Sequence, residues 1–220
     1  CLNHTATCAM LIVMDTAAVL ARNDRYLREF VEAFQICPFA RSCRERGGLW
    51  REVLDGEGEA LFAQLQAALI RLHARRHAHI EVALLIAPGF GDDARGFEAL
   101  ASRLTTAVQD ELRQDDAGLA FHVVAFHPHL RGSDEDPWRL VGLLRHTPDP
   151  TLQVVRISVL DALKGADAGQ TRYVAPEDVH KLDALPRKGL SERIADANLA
   201  TWRAHGEVLA RLLVDVRLPM

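Results

Sequence analysis

At 220 residues the chain is long enough for one large domain or two small ones. Its 49% hydrophobic and 25% charged content excludes a disordered, collagenous or disulfide-scaffold protein. A net charge of −4 argues against broad electrostatic binding to nucleic acid or to an acidic membrane surface. The lysines are only Lys164, Lys181 and Lys188 against a large excess of arginine, and the ten histidines exceed expectation for the length.

All the cysteines lie in the first fifth of the chain, at Cys1, Cys8, Cys37 and Cys43. None shows Cys-x-x-Cys spacing, which fits a reduced cytoplasmic protein without a zinc ribbon. The apolar run from Ala9 to Met14 is broken by Asp15; it is too short to span a bilayer and lacks a secretory-signal pattern. Residues 1–13 are therefore expected to be a non-native or disordered tail, and 14–220 a single α/β domain.

In chain order, Asp15 to Ile36 reads as a helix with Leu27, Phe30, Val31 and Phe34 on one face, ended by Pro38. A short strand follows from Leu49 to Leu54, then the turn Asp55-Gly56-Glu57-Gly58. Next comes a helix whose stripe is Leu61, Leu65, Leu69 and Leu72. The unbroken apolar run Ile80 to Ala87 predicts a strand buried on both faces. Asp92 or Asp93 can cap a third helix carrying Phe97, Leu104, Val108 and Leu112. Leu119 to Phe126 reads as another buried strand, stopped by Pro128. Asp136-Pro137 starts a short helix to about Arg145; Thr151 to Val159 reads as a strand. Gly165 to Gly189 reads as a loop with a short helix in it, and Ser191 can cap the last long helix. This alternation predicts an α/β fold with a central mixed sheet of four to five strands and helices packed on it. Gly89-Phe90-Gly91 lacks the third glycine of a dinucleotide site and the Lys of a phosphate loop.

Three places can carry chemistry. Cys37, between a helix C-terminus and Pro38, sits where the helix dipole raises a thiol pKa, so a packing role competes with a nucleophilic one. His127 and His129, in Phe126-His127-Pro128-His129, lie at a strand's carboxyl end, where α/β sites collect. Either could ligate a metal or act as a base, or serve as a hydrogen-bonded core residue. Arg145, His146 and Arg156 form the third group. Arg156 shares a strand face with Leu152 and Val154 and needs an anionic partner, internal or from a ligand. His73, His77 and His79 are interleaved with arginines and read as a solvated helix end. No Gly-x-Ser-x-Gly elbow occurs, and the paired carboxylates fall at caps and turns.

Several segments, in order, carry a resemblance: Cys37-Pro38-Phe39-Ala40, the strand into Ala87-Pro88, Phe126-His127-Pro128, the run from Thr147 to Arg156, and Ser191 to Leu199. Together these resemble a bacterial family described as a domain of unknown function, over roughly residues 24–205. The chain departs from that family's pattern at Gln153, where the family has a histidine, and has a shorter run at Arg145 to Pro150. More distantly, the Cys-Pro-Phe opening and the later His and Arg positions resemble heme-dependent N-oxygenases. That resemblance implies an oxidoreductase with a non-covalent heme, acting on a small nitrogen-containing, amino-acid-like substrate. It would have His127 as the axial and metal ligand, His129 and His146 as reserves, Arg145 and Arg156 pairing carboxylates, and Phe39 and Phe126 lining the pocket. Two alternatives stay open: a non-catalytic small-molecule or metal-binding protein using the same strand-end pocket, and a thiol enzyme built on Cys37. The partner expected is a small-molecule substrate, with homodimerisation open and no nucleic acid or membrane.

Overall fold

A computed structural model describes residues 14–74, 79–113, 121–164 and 190–216. The expected tail 1–13, the loop 165–189, His77, and the first two residues of the strand expected from Leu119 lie outside them. The elements are α1 (Thr16–Arg25), continued by a π-helical stretch Tyr26–Glu32, then α2 (Ala40–Glu45), β1 (Leu49–Val53), α3 (Gly58–Ala74) and β2 (Val82–Ile86). After these come α4 (Ala94–Arg113), β3 (Phe121–Phe126), α5 (Pro137–Leu144), β4 (Thr151–Arg156), α6 (Ile157–Lys164) and α7 (Leu190–Asp215).

Capping follows the sequence closely. Asp15 Oδ1 accepts from the Ala17 and Ala18 amides at 2.9 and 3.1 Å. Asp93 Oδ1 accepts from Gly96 at 2.9 Å. Asp136 caps α5, with Pro137 in the first helical position, where its missing N–H costs nothing. The first helix stops earlier than Pro38 requires. Gln35 adopts φ +53°, while its amide bonds the Glu32 carbonyl and the Ile36 amide bonds that of Val31. That is a Schellman stop, and it precedes the proline.

The strands form one mixed sheet in the order β1-β2-β4-β3. β1 pairs parallel to β2, and β4 runs antiparallel to both β2 and β3. One face, carrying Ala83, Leu85, Leu152, Val154 and Ala125, packs under α3 and α4 against Leu65, Leu69, Phe97 and Leu104. Full burial of each such side chain stabilises by roughly 1.5–3 kcal/mol. The other face carries Val82 and Val155, which pack on Phe39 and Cys43 of the α2 region and Val159 of α6. A further cluster joins the first helix to α5 and α7 through Tyr26, Phe30, Leu140, Leu209 and Leu213.

Three expectations about elements are corrected. The fourth strand ends at Arg156 rather than Val159, and α6 begins at once. The β-branched run favours a strand locally, but Val159 is buried against Phe39 and Cys43 only from a helix. The short helix α2 was not foreseen. β3, expected to be a buried strand, is an edge strand and not buried on both faces, and His122 on it is exposed. No helix among the described residues is long and apolar enough to cross a membrane.

Candidate functional site

His127 is fully buried directly after β3. Its Nε2 lies 3.0 Å from the Gly91 carbonyl, and its Nδ1 accepts the His129 amide at 3.1 Å. An acceptor Nδ1 places the proton on Nε2, which donates to Gly91. The ring packs against Phe97 and Phe90. Burial, which outweighs the Gly91 hydrogen bond, pushes its pKa below the ordinary histidine value, with the His129 charge adding to the effect. His127 is a neutral clasp holding the turn after β2 to the end of β3, with no nitrogen left for a metal.

The other expected ligands are occupied as well. His146 Nε2 donates to the Leu130 carbonyl at 2.7 Å, tying the loop after β3 to the end of α5. His129 faces solvent and pairs with Asp92 at 3.3 Å. Among the described residues, no group of three His, Cys, Asp or Glu side chains is placed to hold a metal ion.

Arg156 is not beside the histidines. Its register partner is Phe121, whereas Phe126 pairs with Thr151, so Arg156 lies about 17 Å away at the opposite end of the sheet. Its Nε donates to the Ile80 carbonyl at 3.0 Å, and its guanidinium covers the Phe121 ring at 4.8 Å. Phe39 packs into the core with Cys43 and Val155 and is not among the described residues lining the cavity that Phe126 borders. Cys43 is buried, and burial next to Glu81 pushes its thiol up to about 12.

What the fold does assemble is a cavity of about 250 Å³ between the second sheet face and the first helix, α2, α5 and α7. Leu49, Val82, Leu84 and Phe126 form its floor; Leu27, Val31, Ile36 and Leu144 supply most of the remaining apolar wall. Part of the roof is the π-helical stretch, a departure from α geometry often found beside functional sites. The roof is held firmly. Tyr26 Oη donates to the Leu144 carbonyl at 2.6 Å, and Asn198 Nδ2 donates to the Ile36 carbonyl at 3.1 Å. Arg22 Nε and Nη2 grip Asp149 at 2.7 and 2.6 Å, joined by Asn23 Nδ2 at 2.7 Å. The Asp149 carbonyl in turn accepts both the Thr147 and Thr151 hydroxyls.

Two polar side chains on the wall are not used in this way. Arg145, from the residue after α5, lies over the Phe126 ring with Cζ 5.5 Å from its centroid. Among the described residues its guanidinium has no carboxylate or hydrogen-bond partner. Burial lowers its pKa, only partly offset by Tyr26 and Glu98, yet a guanidinium stays charged throughout the physiological range. Gln153, in the centre of β4, also borders the cavity, and its amide has no partner among the described residues. Arg145 was readable from the sequence as a carboxylate partner. Gln153 was marked in the sequence as a departure from the family's pattern but not as a site residue, though an amide interrupting the strand Thr151–Arg156 was a further signal. Among the described residues, the wall's ionisable groups are Arg145, Tyr26, Cys37 and Cys43.

No curated protein and no solved structure matches the chain, which leaves the resemblance to heme-dependent N-oxygenases without support. The model of the family described as "Protein of unknown function (DUF1415)" matches residues 18–191. That span includes every cavity residue named above except Asn198, and the chain belongs to this family.

Proposed function

We propose that the protein binds a small, largely apolar carboxylic acid in the cavity between the sheet and the first helix, with Arg145 as its anchor. The observation that carries this reading is the unpaired Arg145 guanidinium at an apolar wall. A charge drawn partly out of water without a partner costs several kcal/mol, and a ligand carboxylate removes that cost through charge-assisted, bidentate hydrogen bonds. Size agrees. A dry cavity of about 150 Å³ accepts benzene, so one of about 250 Å³ suits an aromatic or branched acid of about ten non-hydrogen atoms.

The same wall favours binding over redox chemistry. A histidine-ligated heme does not fit the residues present, because both His127 nitrogens and the His146 Nε2 are spent on the chain itself and His129 faces solvent. No Asp, Glu or His lines the cavity among the described residues, so a general base of the ordinary kind is not at hand.

Thermal unfolding with a panel of small carboxylic acids and their primary amides tests the proposal. A ligand at one hundred times its Kd stabilises by about 2.7 kcal/mol, or roughly 5–11 °C in Tm for a chain of this size. Acids are expected to raise Tm, their amides not, and Arg145→Leu to abolish the difference. Equal shifts from acids and amides, or an unchanged response in Arg145→Leu, would defeat the reading.

A further inference from the structure

Resting on that carboxylate reading, we infer that Gln153 determines specificity: the cavity takes an acid bearing a second hydrogen-bonding group at its far end, received by the Gln153 amide. Three placements carry this. Phe126, under the Arg145 guanidinium, is cross-strand from Thr151. Thr151 and Gln153 are two residues apart on β4, so they share the cavity face and are separated by about 7 Å. Gln153 is flanked by Leu84 on β2 and Val124 on β3, which offer its amide no side-chain hydrogen bond.

A primary amide has two donors and an acceptor. Half-buried at an apolar cavity without a partner among the described residues, it loses part of its hydration and gains no hydrogen bond in return. Leu or Val would suit that position on a central strand far better for stability alone. The cavity is thus bipolar: a cation over Phe126, level with Thr151, and a neutral donor and acceptor at Gln153, two residues or about 7 Å further along β4 and beside Leu84. The matching ligand has a carboxylate, a flat or branched apolar middle, and a distal hydroxyl, carbonyl or amide. A hydroxy-substituted aromatic acid has that form. Specificity of this kind runs in one direction, because an analogue lacking the distal group covers the half-buried amide and leaves it unpaired.

The test compares 4-hydroxybenzoate with 4-methylbenzoate, which has the same shape but no distal hydrogen bond. Binding of both is measured by calorimetry to the wild-type chain and to Gln153→Met and Gln153→Leu, two variants so that a folding defect in one does not decide the matter. The wild-type protein is expected to prefer the hydroxy acid by about three- to tenfold, and both variants to lose or reverse that preference while still binding acids in an Arg145-dependent way. If acids bind through Arg145 but the preference is absent or indifferent to Gln153, this inference falls and the carboxylate reading stands. If neither acid binds, both fall.

Discussion

Arg22 and Asp149 meet in a bidentate ion pair, Nε to Oδ2 at 2.7 Å and Nη2 to Oδ1 at 2.6 Å, across 127 residues of sequence. Asp149 is almost wholly buried, while Arg22 keeps about a quarter of its side chain in water. The pair joins the first helix to the loop that launches β4, and so holds the cavity roof to its floor. Removing one member of a buried pair is far more damaging than removing both, because the survivor is stranded without compensation.

Arg22→Ala is therefore expected to destabilise by about 3 kcal/mol, a fall in Tm of roughly 6–12 °C. The double variant Arg22→Ala/Asp149→Asn should lose clearly less than the sum of the two single losses. A double-mutant cycle by urea unfolding checks this. Additive losses would mean that the two side chains are not coupled.

Arg145 should behave in the opposite way. Arg145→Leu removes a desolvated charge that no described residue compensates, so unfolding stability is expected to hold or rise slightly, within about 1 kcal/mol. Acid binding is lost in the same variant. A drop of several kcal/mol in urea unfolding would show that Arg145 serves the fold rather than a ligand.

His127 gives the protein a pH dependence with a definite sign. Its folded pKa is lowered by burial, so below the ordinary value of 6.5 the unfolded chain takes up a proton that the native state resists. The stability it contributes is complete above about pH 6.5 and is lost as pH falls through the lower folded pKa, with a slope of at most about 1.4 kcal/mol per pH unit. Urea midpoints between pH 4.5 and 7.5 should show this slope in the wild-type chain. His127→Gln should be less stable at pH 7.5 and show a weaker dependence; an unaltered profile would assign the slope to other groups.

The Cys43 thiol, at about 12, is in the thiolate form to about one part in ten thousand at pH 8. Iodoacetamide should leave Cys43 unmodified in the native protein at that pH and label it once urea exposes it. Peptide mass mapping follows the site directly. Rapid native labelling of Cys43 would contradict the packing described here.

Much of the architecture was legible because it rests on local rules. Apolar runs at Ile80 to Ala87 and Thr151 onward, leucine stripes at helical spacing, and Asp15, Asp93 and Asp136 as caps each depend on near neighbours. The sequence even marked Asp149 and Arg145 as lying in a notable segment. It could not end β4 at Arg156, because what makes Ile157–Lys164 helical is a hydrophobic partner more than a hundred residues earlier, at Phe39 and Cys43.

The histidines show the same division. A histidine excess and the motif Phe126-His127-Pro128-His129 are sequence facts, and they point toward a ligand site. Whether an imidazole nitrogen is free depends on what stands 3 Å from it, and the Gly91 carbonyl and Leu130 carbonyl were brought there by folding. Antiparallel pairing of β3 with β4 likewise sent Arg156 to the far end of the sheet from His127. Sequence by itself determined most of the element types, though not α2 or α6, together with the mixed α/β architecture and the family, since these follow from periodicity, capping and motif order. Only the tertiary structure decided which polar groups are spent on one another and which, Arg145 and Gln153, are left facing a cavity, because pairing is a property of distance in space and not of spacing along the chain.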